Sequence, residues 1–281
     1  MTNPLLSIII ANYNYGRFLE GAITSVLSQN DTNIAEIIVC DAASSDNSVD
    51  IIKKYEGRIA WWCSEKDDGQ SAAFNKGFSH AKGDWLTWLN ADDLLLPGTL
   101  DAFERLVTKQ GTAQWISGNM LSFDDETKRI VQVNWGPHSQ PPILSKRFAF
   151  NAVFGPTTFF RKELYLSVGN IDESLHYAMD TEYWARLTMH GVRQVRLNHL
   201  CWAFRIHKES KTEGEQTRRL SEIRRQETEY WKQRTGYDFK RSILNPSYLY
   251  WLLWRILDGS WVAKMINKVR FEGKLFNHCF E

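Results

Sequence analysis

No C-x-x-C pair occurs among the four cysteines, Cys40, Cys63, Cys201 and Cys279, which stand far apart in the chain. That spacing argues against a zinc knot and against a dense disulfide framework, and it fits a reducing cytoplasm. Excess charge of one sign is also missing: 34 Lys and Arg face 33 Asp and Glu, a formal net charge of +1. A chain that binds by neutralising many phosphates along a polymer needs more than that, so a nucleic-acid partner is not expected. No apolar run reaches the roughly 18 residues that span a bilayer; the nearest, Tyr248 to Trp254, stops at Arg255. Met1 to Leu6 carry no basic segment and read as the approach to a first strand, not as a signal peptide. Repeats and low-complexity stretches are absent too.

What is present is enough length, 281 residues, for one catalytic unit with an appendage, and twelve tryptophans. Most of those rings should be core, although stacking on sugar rings is another use for them. The first hundred residues alternate between short β-branched runs and helical spacings. Ser7–Ala11 runs into the polar loop Asn12–Gly16, and Phe18, Ala22, Val26 and Leu27 then recur at helical intervals. Ile37–Cys40 leads to Asp41–Asp46, Ile59–Trp62 gives a third strand, Asp68-Gly69-Gln70 opens a helix, and Trp85–Leu89 is a fourth strand. Such alternation predicts an α/β fold, a mainly parallel sheet with helices on both faces. Ligands of these sheets sit beyond the carboxyl ends of the strands, so the loops after Ala11, Cys40 and Leu89 are the expected site. Later, 114–123 reads as a strand, 137–142 as a Pro-containing loop and 180–190 as a helix. A boundary near Thr212 separates residues 1–212 from a C-terminal extension, 213–281, charged at first and then aromatic and basic.

The acidic cluster Asn90-Ala91-Asp92-Asp93 closes a strand with no polar face, so two carboxylates are presented together at its end. Mg²⁺ or Mn²⁺ prefers oxygen ligands, commonly one or two carboxylates plus substrate phosphates, and Asp92 and Asp93 suit that role. The competing reading makes them the start of a helix before Pro97. Asp41, an acceptor-only group after an apolar strand, suits N–H or ribose hydroxyl donors, or else caps its own turn through Ser44 or Ser45. Gln70 and Asn75 could meet donor hydroxyls or phosphate from a helix start, whereas Lys76 reads equally well as a solvated charge.

Taken together, these motifs resemble the inverting nucleotide-sugar transferases of glycosyltransferase family two, whose catalytic domain is the GT-A fold. The matching residues are Ser7–Asn14, Ile37–Asp46, Asp68-Gly69-Gln70-Ser71 with Asn75-Lys76-Gly77, and Leu89–Asp93, within a resemblance running from about Leu6 to Thr212. It departs from the family at Ala42 and Ala43, where glycine or a second acid is usual, and at Asn90, where Asp is usual. The resemblance implies that Ala11, Asn12 and Tyr13 line a base pocket and that Asp41 bonds the base or ribose. It also implies that Asn90 and Asp92 meet the donor sugar, and that Asp92 and Asp93 hold the metal.

It further implies a nucleotide-sugar donor, UDP at the level of the family, and a saccharide or lipid-linked saccharide acceptor. Gly169–Trp184 looks like the acceptor-side motif, in which Asp180 is the general base; Asp172 is the rival and reads as a turn. Phe154–Arg161 resembles a segment bordering the acceptor, although strand chemistry explains Thr157 and Thr158 equally well. In the closing motif Trp202–Thr212, His207 is a third metal ligand, a diphosphate contact or a structural residue. Arg205 and Lys211 are phosphate neighbours or partners of acids such as Glu209. The tail, with Tyr248, Trp251, Trp254 and Trp261 near Lys264, Lys268, Arg270 and Lys274, either rests at a membrane interface or packs on the catalytic domain. Two rivals stand beside the transferase. A nucleotidyltransferase should carry a Gly-rich basic loop that Asn12–Arg17 does not match, and a non-catalytic carbohydrate-binding scaffold should lose its acids without consequence.

Overall fold

The computed structural model describes residues 3–138, 157–210, 229 and 246–280. The first half runs β1 (Leu6–Asn12), α1 (Gly16–Leu27), β2 (Ala35–Asp41), α2 (Ser48–Lys54), β3 (Trp61–Ser64), α3 (Gln70–His80) and β4 (Trp85–Asn90). Next come β5 (Leu94–Leu95), α4 (Thr99–Lys109), β6 (Trp115–Asp124), β7 (Ile130–Asn134), β8 (Thr158–Arg161), α5 (Lys162–Val168), α6 (Met179–Met189) and β9 (Gln194–Ile206). The chain closes with α7 (Pro246–Leu257), α8 (Ser260–Phe271) and α9 (Asn277–Phe280).

One sheet carries the order β3-β2-β1-β4-β8-β6-β9-β5, with β7 on the side of β6. Its first four strands are all parallel, as the alternation predicts. Beyond β4 the sheet is mixed, because β8 joins antiparallel to both β4 and β6 while β6 and β9 run parallel. β1 lies between β2 and β4 and is covered on both faces, which explains its unbroken apolar run. Ile8 and Ile10 pack with α1 and α4 on one face, and Ile9 packs with α3 and α6 on the other. The tryptophans are largely core, as expected: Trp88 and Trp184 stack with ring centroids 5.1 Å apart, and Trp115 lies 5.9 Å from Trp184.

The boundary expected near Thr212, the charged stretch 213–232 apart from residue 229, and most of the 137–142 loop lie outside the described residues. The segment after residue 257 docks on the sheet. Phe271 and Phe276 join Leu121, Phe123, Ile130 and Val133 in a third apolar cluster. The backbone N–H of Ile130 donates to Lys274 O (2.9 Å), and that of Phe276 to Lys128 O (2.8 Å). Among the described residues no helix is long and apolar enough to cross a membrane.

α3 sits directly on β1 because Gly77 has no side chain: a Cβ there would lie 2.4 Å from Cγ2 of the fully buried Ile9. Gly77→Ala should therefore overpack this contact and, despite alanine's better helix propensity, cost about 1–2 kcal/mol. Urea unfolding would show it as a lower midpoint at constant slope. An unchanged midpoint would mean that α3 lifts away from β1 without cost.

Candidate active site

The polar loops after β1 and β2 are laced to each other. Asp41 is buried at the end of β2, and its two oxygens accept from Asn12 Nδ2 (2.6 Å), Ser44 N (3.0 Å), Ser44 Oγ (2.5 Å) and Ser64 Oγ (2.6 Å). Asn14 N donates to Ser44 Oγ and Ser45 N donates to Asn14 Oδ1, each at 2.8 Å, and Gly16 N donates to Asp46 Oδ2 at 2.8 Å. A carboxylate offers about four lone-pair sites, and all of Asp41's are engaged within the protein. These bonds give Asp41 an anchoring role, close to the turn-capping alternative. It holds Asn12, whose Oδ1 is buried and has no partner among the described residues.

Beyond the carboxyl ends of the parallel strands lies a cavity of about 690 Å³, within the size range of small-molecule sites. Ala11, Asn12 and Tyr13 are on its wall, with Tyr13 61% exposed. So are Gln70, Asn90 and Asp92. Gln70 Nε2 donates to Asn90 Oδ1 at 2.8 Å, which ties the start of α3 to the end of β4.

Asp92 and Asp93, adjacent in sequence, do different things. Asp92 Oδ2 lies 3.1 Å from His207 Nε2, and both side chains are nearly buried. His207 is boxed in by Tyr15 and Phe18, with ring centroids at 5.5 and 4.6 Å, and its Nδ1 has no partner among the described residues. Burial, with the charge of Asp92 next in weight, pushes the Tyr15 hydroxyl up to about 12, so it stays protonated and donates to Glu209 O at 2.8 Å. Asp93 is fully buried behind the wall and accepts from Asn90 Nδ2 (2.8 Å), Trp202 Nε1 (3.2 Å) and Arg205 N (3.0 Å). Burial and then the neighbouring Asp92 raise its carboxyl well above the usual range, with the three donors pulling the other way. In this structure the oxygens of Asp93, expected as a metal ligand, tie β4 to β9. The helix-start alternative is not seen either, since α4 begins at Thr99 after Gly98.

Arg205 likewise holds structure together. Its Nε donates to Asp92 O (2.9 Å), and its Nη1 pairs with Asp125 Oδ1 (2.7 Å), while Glu209 pairs with Arg17 instead. Asp92 and His207 form a two-residue donor set of carboxylate and imidazole, which suits Mn²⁺ or Mg²⁺ completed by water and phosphate oxygens. Among the described residues no group of three or more His, Cys, Asp or Glu side chains forms a metal cage.

On the other flank the segment 171–179 is clasped to α3. Asn75 Nδ2 donates to Ile171 O (2.9 Å) and Glu173 Oε1 (2.8 Å), and its Oδ1 accepts from Ile171 N (3.0 Å) and the Tyr165 hydroxyl (3.1 Å). All four sites of its amide are used, so the expected donor contact of Asn75 gives way to positioning. Ser71 Oγ reaches Leu175 O at 3.2 Å. The clasp sets the start of α6, where Asp180 lies in the first turn with Oδ1 accepting from Thr181 N (2.6 Å) and Thr181 Oγ1 (3.1 Å). Asp180 is half-buried and stands outside the residues lining the cavity. Asp172 makes a turn with Ser174, Glu182 pairs with Arg186, and Lys76 pairs with Glu65. Thr157 and Thr158 are buried in sheet contacts, while Phe154 to Pro156 and Lys211 fall outside the described residues.

Asp67 and Lys66 also line the cavity, and sequence reasoning passed over both. They follow β3, the fourth parallel strand, and the rule that picked the other three loops applies equally to this one. Asp67 Oδ1 accepts from Gly69 N at 3.0 Å, and burial holds its carboxyl above the usual range.

A Glycosyl transferase family 2 model matches residues 7–167, more than half of the chain, and the chain belongs to that family. Among its relatives, an uncharacterized glycosyltransferase of Haemophilus influenzae is 36% identical over 223 residues, 74% of this chain and 89% of the relative. One of Nostoc sp. is 41% identical over 149 residues, 51% of this chain and 44% of the relative. The chain spans about half the length of several curated relatives, 44% for the Nostoc protein and 58% for one of Rickettsia typhi. Two solved structures share the fold, which is GT-A. Staphylococcus aureus TarS 1–349 in complex with UDP-GlcNAc has a TM-score of 0.63 at 16% identity, covering 73% of this chain and 59% of that one. The mannosyltransferase PcManGT of Pyrobaculum calidifontis, in complex with GDP-Man and Mn²⁺, has a TM-score of 0.59 at 17% identity, covering 96% and 76%.

The two aspartates should fail differently. Asp93→Ala leaves one buried and two half-buried N–H donors unsatisfied and should cost about 2–4 kcal/mol in urea unfolding. Asp92→Ala removes one contact at the cavity wall and should stay within about 1 kcal/mol of the parent. Equal losses would contradict the separation of wall from scaffold.

Proposed function

We propose that the chain is an inverting glycosyltransferase that moves a hexosyl or N-acetylhexosaminyl group from a nucleotide diphosphate, UDP in the first instance, to a hydroxyl of a saccharide or lipid-linked saccharide. Building a cell-envelope polysaccharide or glycolipid is the process this suits. The observation that carries it is the facing pair Asp92 and His207, 3.1 Å apart, at the end of a cavity whose wall also includes Asn12 and Asp67. The complexes of TarS with UDP-GlcNAc and of PcManGT with GDP-Man and Mn²⁺ make a nucleotide-diphosphate donor the reasonable first test.

In this reading Ala11, Asn12 and Tyr13 bind the nucleoside, with Asp41 as the positioning residue behind Asn12. Asp67 accepts N–H or O–H donors of the nucleoside. Gln70 and Asn90, bonded to each other, present amide groups to the donor sugar. Asp92 and His207 hold Mn²⁺ or Mg²⁺, with Asp93 buttressing the turn. A bound divalent cation would supply positive charge against the departing diphosphate. Asp180 takes the proton from the acceptor hydroxyl as the new bond from its oxygen to the anomeric carbon forms and the bond to the diphosphate oxygen breaks. Asn75 acts at one remove, by fixing the segment that leads into α6.

Release of nucleotide from UDP-, GDP- and dTDP-sugars with Mn²⁺ and acceptor tests the reading. Asp180→Asn should lower turnover by about 10²–10⁴-fold and leave donor binding unchanged. Asp92→Asn and His207→Ala should each weaken Mn²⁺-dependent donor binding. Turnover that survives in Asp180→Asn would remove the base assignment. A panel in which no donor binds would favour a carbohydrate-binding scaffold.

A further inference from the structure

The largest group of exposed apolar side chains on the described surface lies far along the chain from the cavity, on α8 and the end of α7. At about 100° per residue, Trp261, Met265, Val269, Val262 and Ile266 follow one another around α8 over an arc of about 140°. All five are exposed, from 39% for Met265 to 78% for Val269. The opposite arc is the one that packs: Ser260 and Phe271 are buried, and Ala263 and Asn267 are half-buried against the rest of the protein. Amphipathic helices of globular proteins turn their apolar face inward, and α8 does the reverse. Leu253, Ile256 and Leu257 of α7 are exposed at 52, 56 and 80% and add to the apolar surface.

The charges around α8 are mainly positive, with Asp258 before the helix and Glu272 just after it as the acids. Lys264 and Lys268 border the arc on one side and Arg270 borders it on the other, with Lys274 just beyond the helix. α8 contains no acidic residue, and the adjacent Glu272 lies 3.6 Å from Lys268 at a side-chain exposure of only 21%. In a chain with a net charge of +1 this is a local concentration of cations, not a general property. An exposed apolar stripe with a tryptophan and a border of Lys and Arg is the pattern of a helix lying in the plane of a membrane interface. There the apolar arc enters the acyl boundary and the cations meet anionic headgroups. A second copy of the chain would set this cationic border against itself in a two-fold contact.

We propose that α8, together with the end of α7, docks the protein on the surface of a bilayer containing anionic phospholipid. The face is rigidly joined to the cavity end of the sheet. The turn between β6 and β7 receives Phe276 N at Lys128 O, and the same turn holds Asp125, the partner of Arg205 beside Asp92. Docking would therefore fix the distance of the cavity from the membrane, not only the presence of the protein there. This inference does not rest on the donor or on the base assigned above.

The test is co-sedimentation of the full chain with vesicles of phosphatidylcholine alone and of phosphatidylcholine with phosphatidylglycerol. The parent should bind the anionic vesicles and bind neutral ones less, and added salt should weaken the difference. Ile266→Asp/Val269→Asp changes two exposed positions and should keep the parent's urea midpoint while reducing vesicle affinity by about tenfold or more. Lys264→Gln/Arg270→Gln should narrow the preference for anionic vesicles. Absence of vesicle binding by the parent, or equal binding by Ile266→Asp/Val269→Asp, would overturn the proposal. So would a parent dimer that ignores vesicles and that the same double variant splits, since the occupant would then be a second copy. Should the donor panel fail while vesicle binding behaves as expected, the transferase reading falls and this one stands.

Discussion

The buried carboxylate of Asp93 is the point on which the site depends. It accepts from the side chain of Asn90 at the end of β4, from the indole of Trp202 and from the backbone of Arg205 on β9. β4 and β9 are not neighbours in the sheet, and Asp93 ties the turn after one to the strand of the other, beside the Arg205–Asp92 contact and the pairing of β5 with β9. Joining them brings His207, just past the end of β9, to Asp92, 115 residues away in sequence. A buried acceptor surrounded by three donors has no reason to move, and a fixed turn is what the neighbour on the cavity wall needs in order to present one carboxylate to a ligand. The cluster thus divides its labour: Asp93 gives up access in order to set the geometry, and Asp92 keeps access because Asp93 has set it.

Much of this was legible in the sequence, for definite reasons. The parallel strands announce themselves because strands buried on both faces read as unbroken apolar runs, as Ser7–Ala11 and Ile37–Cys40 do. Their carboxyl ends then locate the polar loops. What the pattern does not carry is how a polar side chain spends its hydrogen bonds. Asp41, Asn75 and Asp93 have the residue types of ligand contacts, and each is consumed by partners from distant segments. β5 is two residues long and exists only because β9 is there to pair with it, so no local signal marks it. Asp67 was a different kind of omission, because the loop after β3 obeys the same rule as its three neighbours.

The C-terminal helices belong to the same logic of burial. α8 could have closed the third apolar cluster with its longer apolar arc, but Phe271 and Phe276 do that from its end and from the segment beyond. The main-chain bonds between 273–276 and 128–130 make that attachment independent of which face α8 turns outward. A stripe left outward by such a firmly held helix is a cost in water unless something covers it, and five consecutive arc positions are more than scattered surface exposure.

The charge on the cavity wall bears on the need for a cation. Among the described lining residues, Asp67 and Asp92 are opposed by Lys66 alone. Arg205, which bonds the main chain of Asp92, spends its guanidinium on Asp92 O and Asp125. A diphosphate brought to such a wall would meet more negative charge than positive in a partly desolvated space, where like charges repel strongly. Proteins that bind diphosphates without metal put helix N-termini, Arg or Lys at the phosphates; here the start of α3 and Lys66 are on the wall, together with Asp67 and with Asp92, which His207 backs. On the function proposed above, a divalent cation arriving with the donor would offset this charge. In that reading Asp92 would be no obstacle to the diphosphate but the group that selects it in its metal-bound form.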